Sequence, residues 1–203
     1  MKRLVSLLLA AAMLLAFAAC SSENGGSVKT DVTPAEIEAA IAAALGDGYL
    51  ATEDVPEDSL FSSPIGYLDL EKVKSYVAKE SAVPALNLDR VAIAECEEGY
   101  ADEAVALFNE SFANSVGYIR QYPFGVAKVE GARIYKAGNI VIYVIAGASP
   151  SSDVSAEEEA KFAFGEYEKI DNAIKEVLGT LPENLAVVPE ESSGGRQGGL
   201  IGG

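Results

Sequence analysis

The chain has 203 residues, with 15 Lys and Arg set against 31 Asp and Glu, for a formal charge of -16. It contains no His, so a Ser-His-Asp triad, a Cys-His dyad and a His-ligated zinc site are all excluded. Clustered Lys and Arg, on which affinity for a phosphate backbone depends, are also missing, which makes nucleic acid a poor partner. The length suits one domain with flanking segments.

Met1-Lys2-Arg3 is a short basic start, and Leu7 to Ala19 is an unbroken apolar run of 13 residues. A bilayer takes about 20 apolar residues to cross, so this run has the form of a secretory signal rather than a membrane span. It ends in Phe17-Ala18-Ala19-Cys20, followed by the small polar stretch Ser21 to Gly26. Small residues, a Cys and a polar stretch in this order resemble the lipobox of bacterial lipoproteins. Phe17 stands where that motif usually has Leu or another aliphatic residue. The resemblance implies that residues 1–19 are a signal peptide and that the Cys20 thiol takes a diacylglyceryl group. Cleavage before Cys20 then frees an amine for a further acyl chain. Each buried methylene contributes about 0.8 kcal/mol, so two or more chains anchor stably where one is marginal. The expected location is the extracytoplasmic face of the cell membrane. The expected partners are the membrane, through lipid on Cys20, and an unknown envelope protein or cell-wall ligand. With Cys20 lipidated, Cys96 is left without a disulfide partner, and its apolar setting reads as a small buried side chain.

Residues 20–32 read as a flexible tether and residues 187–203 as a disordered Gly-rich tail, leaving a single domain over 33–186. Thr33-Pro34-Ala35-Glu36 predicts a helix start, with Thr as N-cap, Pro in the first turn and Glu closing a capping box. That helix stops at Gly46, and residues 47–67 are irregular. A second helix is predicted from Leu70 to Lys79, with Val73, Tyr76 and Val77 on one face. Asp89 to Glu95 reads as a strand. On it Val91 and Ile93 face one way, and Ala92 and Ala94 face the other, with Cys96 continuing the small row. Ala101 to Gln121 is the best amphipathic helix in the chain, with Ala104, Val105, Phe108, Phe112, Val116 and Ile119 at helical spacing. Ala127 to Tyr135 and Asn139 to Ala146 read as a hairpin turning at Gly138. Ile140 to Ile145 is apolar throughout, as an interior strand should be. Ser155 and Glu158 form a second capping box. It opens a helix to Gly179 that carries Phe162, Tyr167, Ile170, Ile174, Val177 and Leu178 on its inner side. The order α-α-β-α-β-β-α predicts an α+β fold, a small and mainly antiparallel sheet with helices packed on one face. Its second half is partly ferredoxin-like but lacks the fourth strand.

Several segments in succession resemble a known family: Asp69 to Val77, Leu88 to Glu95, Gly99 to Val105, Gln121-Tyr122-Pro123 and Ala132 to Val144. With the lipobox, this set is similar to the bacterial lipoproteins of domain-of-unknown-function family 4358 and runs from residue 1 to residue 147. The helix after residue 155 is longer and more acidic than that family leads one to expect. The resemblance implies an envelope location and a fold, but no activity and no catalytic residues.

Glu95, Glu97, Glu98, Asp102 and Glu103 cluster around Gly99, and Asp153, Glu157, Glu158 and Glu159 around Ser155. Neither group has the ligand spacing of a calcium loop. Acidic residues at a helix N-terminus already suit its dipole, so both read as solvated helix starts with no metal. Tyr118, Arg120, Tyr122 and Phe124 gather at the end of the third helix as a possible binding surface, since Tyr and Arg are enriched in binding hot spots. There is no GxSxG, no SxxK and no phosphate-cradling Gly loop. The reading is a non-enzymatic binding or accessory module of the envelope, without a cofactor. The alternative is a cell-wall or glycan hydrolase working with a pair of Asp or Glu carboxylates.

Overall fold

A computed structural model describes residues 29, 31–84, 87–122, 124–151 and 153–190. The signal segment 1–19, Cys20, nearly all of the tether and the Gly-rich end beyond residue 190 lie outside the described residues. Among the described residues there are four α-helices: α1 (Pro34–Leu45), α2 (Ala101–Ile119), α3 (Val126–Glu130) and α4 (Ala156–Leu178). Strands β1 (Glu53–Asp54), β2 (Val73–Glu80), β3 (Arg90–Cys96), β4 (Arg133–Ala137) and β5 (Ile140–Ile145) form one sheet in the order β1-β2-β3-β5-β4. Every neighbouring pair is antiparallel, and the fold is α+β.

The alternation along β3 decides what covers each face. Its small row, Ala92, Ala94 and Cys96, lies under α2 and leaves room for Phe108 and Phe112, whose rings sit 5.8 and 6.4 Å from that of Tyr143 on β5. Its large row, Val91 and Ile93, joins Ile142 and Val144 of β5 against Ile37 and Ile41 of α1 and Ile170, Ile174 and Leu178 of α4. Burying each such side chain stabilises by about 1.5–3 kcal/mol. Helices therefore cover both faces of the sheet, not one as the sequence suggested. A sheet with two apolar rows needs a cover on each side.

The β4–β5 hairpin turns through Gly138 and Asn139, with Gly138 at φ 61, and β5 is buried along its whole length between β3 and β4. Strands β3, β4 and β5 with α2 reproduce the strand order of a ferredoxin-like half. The place of the missing fourth strand is taken by β2, which precedes β3 in the chain. Since α2 and α4 lie on opposite faces, the likeness ends there.

Two predicted elements differ. Leu70 to Lys79 is not a helix: after a single tight turn, Leu70–Lys72, the chain becomes β2 and pairs with β3 from Val73 to Glu80. Val73, Tyr76 and Val77 fit a helical face by spacing, but β-branched and aromatic residues also favour a strand, and the open edge of β3 supplies the hydrogen bonds. A register shift between Val73 and Ser75 then sends Val73 to the α2 side and Val77 to the other. Ala127 to Glu130 is helical, so β4 starts only at Arg133. Within α4, Phe162 is 39% exposed, and Ala163 and Glu166 take the inner positions.

Residues 181–190 run as an extended strap across the free side of β4. Leu185 N–H donates to Ile134 C=O at 2.7 Å, and Ile134 N–H donates to Asn184 Oδ1 at 2.9 Å. Asn109 on α2 binds Leu185 C=O and Val187 N–H, so the chain stays attached beyond residue 186, where a free tail was expected. The strap and the short acidic β1 protect the two sheet edges.

Candidate functional site

Arg90 pairs with Ile145, so Asp89 and the Ala146–Gly147 backbone leave the sheet at the same end. The last turn of α2, the short α3 and the first turns of α4 surround that end and enclose a cavity of about 540 Å³. The Asp89 side chain, at 0% exposure, forms an ion pair with Nζ of Lys128 on α3, whose ammonium is sealed from solvent. Burial pushes the Asp89 carboxyl above its ordinary range, opposed by Lys128 and more weakly by Gly147 N–H and Asn87. Lys128 is held in place by its own backbone, because the buried Tyr167 hydroxyl of α4 donates to Lys128 C=O at 2.7 Å.

The wall opposite is the segment after β5. Gly147 has φ 119, and a Cβ there would lie 2.8 Å from Cβ of Glu166, so only glycine brings this backbone against α4. The Glu166 carboxylate then accepts from Ala148 N–H at 2.9 Å and pairs with Lys169. Ser149, Pro150, Ser151 and Val154 continue this wall into α4, where Ala156, Glu159 and Ala163 complete it. Glu159 Oε1 accepts from Ala127 N–H at 3.3 Å and ties α4 to α3. Asn87 beside Asp89 is polar, and Leu50, Leu88, Ile119, Val129 and Ile145 make most of the remaining interior apolar.

Three of the four residues singled out in the sequence lie on this cavity. Tyr118, Tyr122 and Phe124 line its rim at 38%, 44% and 55% exposure. The two tyrosine rings are 5.2 Å apart, and Tyr122 Oη donates to Tyr118 Oη at 3.1 Å. Arg120 turns away: its guanidinium binds Glu130 at 2.6 and 2.7 Å and donates to Pro189 C=O at 2.9 Å. Sequence reasoning missed Asp89 and Lys128, and it read Glu159 as part of a solvated helix start, whereas Glu159 lines the cavity. The available signal was Lys128 itself, a single charge inside the apolar run Val126 to Val129.

The acidic group near Gly99 lies at the opposite end of β3 and is spent on surface pairs. Lys74 meets Glu97 at 3.9 Å, Lys72 meets Glu103 at 3.8 Å, and Lys136 pairs with Asp102. Among the described residues, no group of three or more Cys, Asp or Glu side chains could hold a metal ion, and no helix is long and apolar enough to cross a membrane. Compared with protein-family models, with curated proteins and with solved structures, the chain matches none.

Proposed function

We propose that this is a lipid-anchored extracytoplasmic lipoprotein, related to the family named above, whose domain is a binding module of the cell envelope. In this reading Cys20 carries the lipid and the cavity at the Asp89 end of the sheet holds a small molecule. One observation carries the binding reading: three partly exposed aromatic side chains converge on the rim of an apolar cavity of about 540 Å³. Small-molecule sites are concave, mostly apolar and about 300–1,000 Å³ in size, with a few placed polar groups. The hydrolase alternative has less support, because of the two carboxyl groups lining the cavity Asp89 is sealed in its pair with Lys128, which leaves Glu159 alone with an uncommitted oxygen among the described residues. Glycoside hydrolysis needs two carboxyl groups facing the bond that breaks, one of them free to give up a proton.

The test is a ligand screen on the full chain by thermal shift, repeated with Ala156→Trp. Residue 156 lines the cavity from an exposed helical position, so the larger ring fills the mouth without entering the core. Saturable stabilisation of the natural sequence that Ala156→Trp removes is the expected result. Stabilisation unchanged by Ala156→Trp, or none across the screen, rejects the cavity as a site. For the anchor, Cys20→Ser should abolish fatty-acid labelling, and persistent labelling would exclude Cys20 as its attachment point.

A further inference from the structure

Resting on the cavity as a binding site, we infer that its ligand is an organic cation, a protonated or quaternary amine carried on an apolar body. The charges around the cavity decide the sign. Asp89, Lys128 and Glu159 are the charged residues lining it, and the first two neutralise each other. Glu159 is left, half-buried, with one oxygen on Ala127 N–H and the second uncommitted among the described residues. An anion finds no free cationic side chain among the lining residues. The Lys128 ammonium is sealed and paired, and drawing it out would leave the Asp89 carboxylate buried without a counter-ion. Neither arginine next in sequence to a lining residue lines the cavity: Arg120 is bound to Glu130 and the strap, and Arg90 donates through Nε to Leu88 C=O at 3.4 Å.

The rim supplies the second half of the recognition. Tyr118, Tyr122 and Phe124 line it with aromatic rings, and an aromatic ring attracts a cation through its quadrupole, more strongly as the site excludes water. Leu50, Leu88, Ile119, Val129 and Val154 receive the apolar body. The chain's net charge of -16 adds a field that raises the local concentration of cations and lowers that of anions. A neutral apolar molecule of the same shape would dehydrate Glu159 without compensating it.

The test uses the full chain and three probes read by calorimetry and tyrosine fluorescence. They are benzyltrimethylammonium, its uncharged carbon isostere neopentylbenzene, and the anion 4-phenylbutyrate. The cation should bind saturably, one per chain, about tenfold or more tighter than the isostere, and more weakly as salt is raised. Glu159→Gln, whose amide oxygen can still accept from Ala127 N–H, should weaken the cation about fivefold and leave the isostere unchanged. Tyr122→Leu should weaken it by a similar factor, whereas Glu157→Gln on the outer side of α4 should not. Equal binding of the isostere, or preference for 4-phenylbutyrate, overturns the cation and leaves the cavity as a site. Failure of all three probes also overturns it, and the wider screen with Ala156→Trp then decides the cavity reading separately.

Discussion

Strand β3 buries an ionisable side chain at each end, and the two ends treat it differently. At one end lies Cys96, fully buried, with its thiol pushed up to about 11 by burial and by the neighbouring Glu95. A thiol at that value is neutral at pH 7, so it packs as a small apolar group under α2 beside Ala94. At the other end lies Asp89, equally buried, whose carboxylate requires a counter-charge, provided by Lys128. Neutral burial lets the Cys96 end close over side chains and a two-residue hairpin. Paired burial brings in α3, the segment after β5 and the first turns of α4, and between those irregular pieces the cavity remains. Ionised burial and the cavity thus share one end of the strand, as sites built on non-repeating backbone do.

Breaking the pair should have the largest effect. Lys128→Met leaves an uncompensated carboxylate, and Asp89→Asn an uncompensated ammonium, each costing about 3–5 kcal/mol in urea unfolding. The double variant Asp89→Asn with Lys128→Met removes both charges and should recover most of that loss, because paired burial gains little over neutral packing. Single variants costing below about 1 kcal/mol would mean that the pair does not organise this end.

The Cys96 end should respond less. Cys96→Ser places a hydroxyl in the buried apolar cluster under α2 and should cost about 1–3 kcal/mol. The natural thiol should resist iodoacetamide in the folded protein and react once urea unfolds it, as read by peptide mass spectrometry at Cys96. Rapid labelling of folded Cys96 would show that this end opens as readily as the other.

What the sequence made legible follows the same division. The rows on β3, the long amphipathic α2, the all-apolar β5 and both capping boxes are local patterns, and each is found where its residues indicated. Covering both faces was not legible, because alternation says which side chains are buried and not which element buries them. Residues 73–77 satisfied two periods at once, and only pairing with β3 chose between them. The Asp89–Lys128 pair joins distant segments, so the lone charge in the run Val126 to Val129 marks Lys128 but does not name its partner. The rim was legible in part. Tyr118 and Tyr122, four residues apart at the helix end, share a face, while Arg120 between them points elsewhere by the same geometry. That spacing alone could have removed Arg120 from the candidate surface.

The smallest effects separate the two ends through their capping boxes. Lys29 N–H donates to Leu178 C=O, so α1 begins beside the end of α4, remote from the cavity. It runs back toward the cavity end, where Gly48 meets Ala148. The Thr33–Glu36 box therefore lies at the far end, and the Ser155–Glu158 box on the cavity wall. In each, the backbone N–H of the cap residue, followed by its hydroxyl, holds the glutamate carboxyl below the ordinary value of 4.5. A carboxyl lowered by folding stabilises fully above its unfolded value, and that contribution is lost as pH falls through the lower folded one. Both glutamates should therefore titrate below 4.5 by NMR, with both first turns fraying in the same acid range. Thr33→Ala and Ser155→Ala should each lower the melting temperature by about 2–4 °C. Only Ser155→Ala should also weaken a cavity ligand, because the turn it loosens carries Ala156 and Glu159. Equal weakening by Thr33→Ala would mean that the cavity senses global stability rather than its own wall.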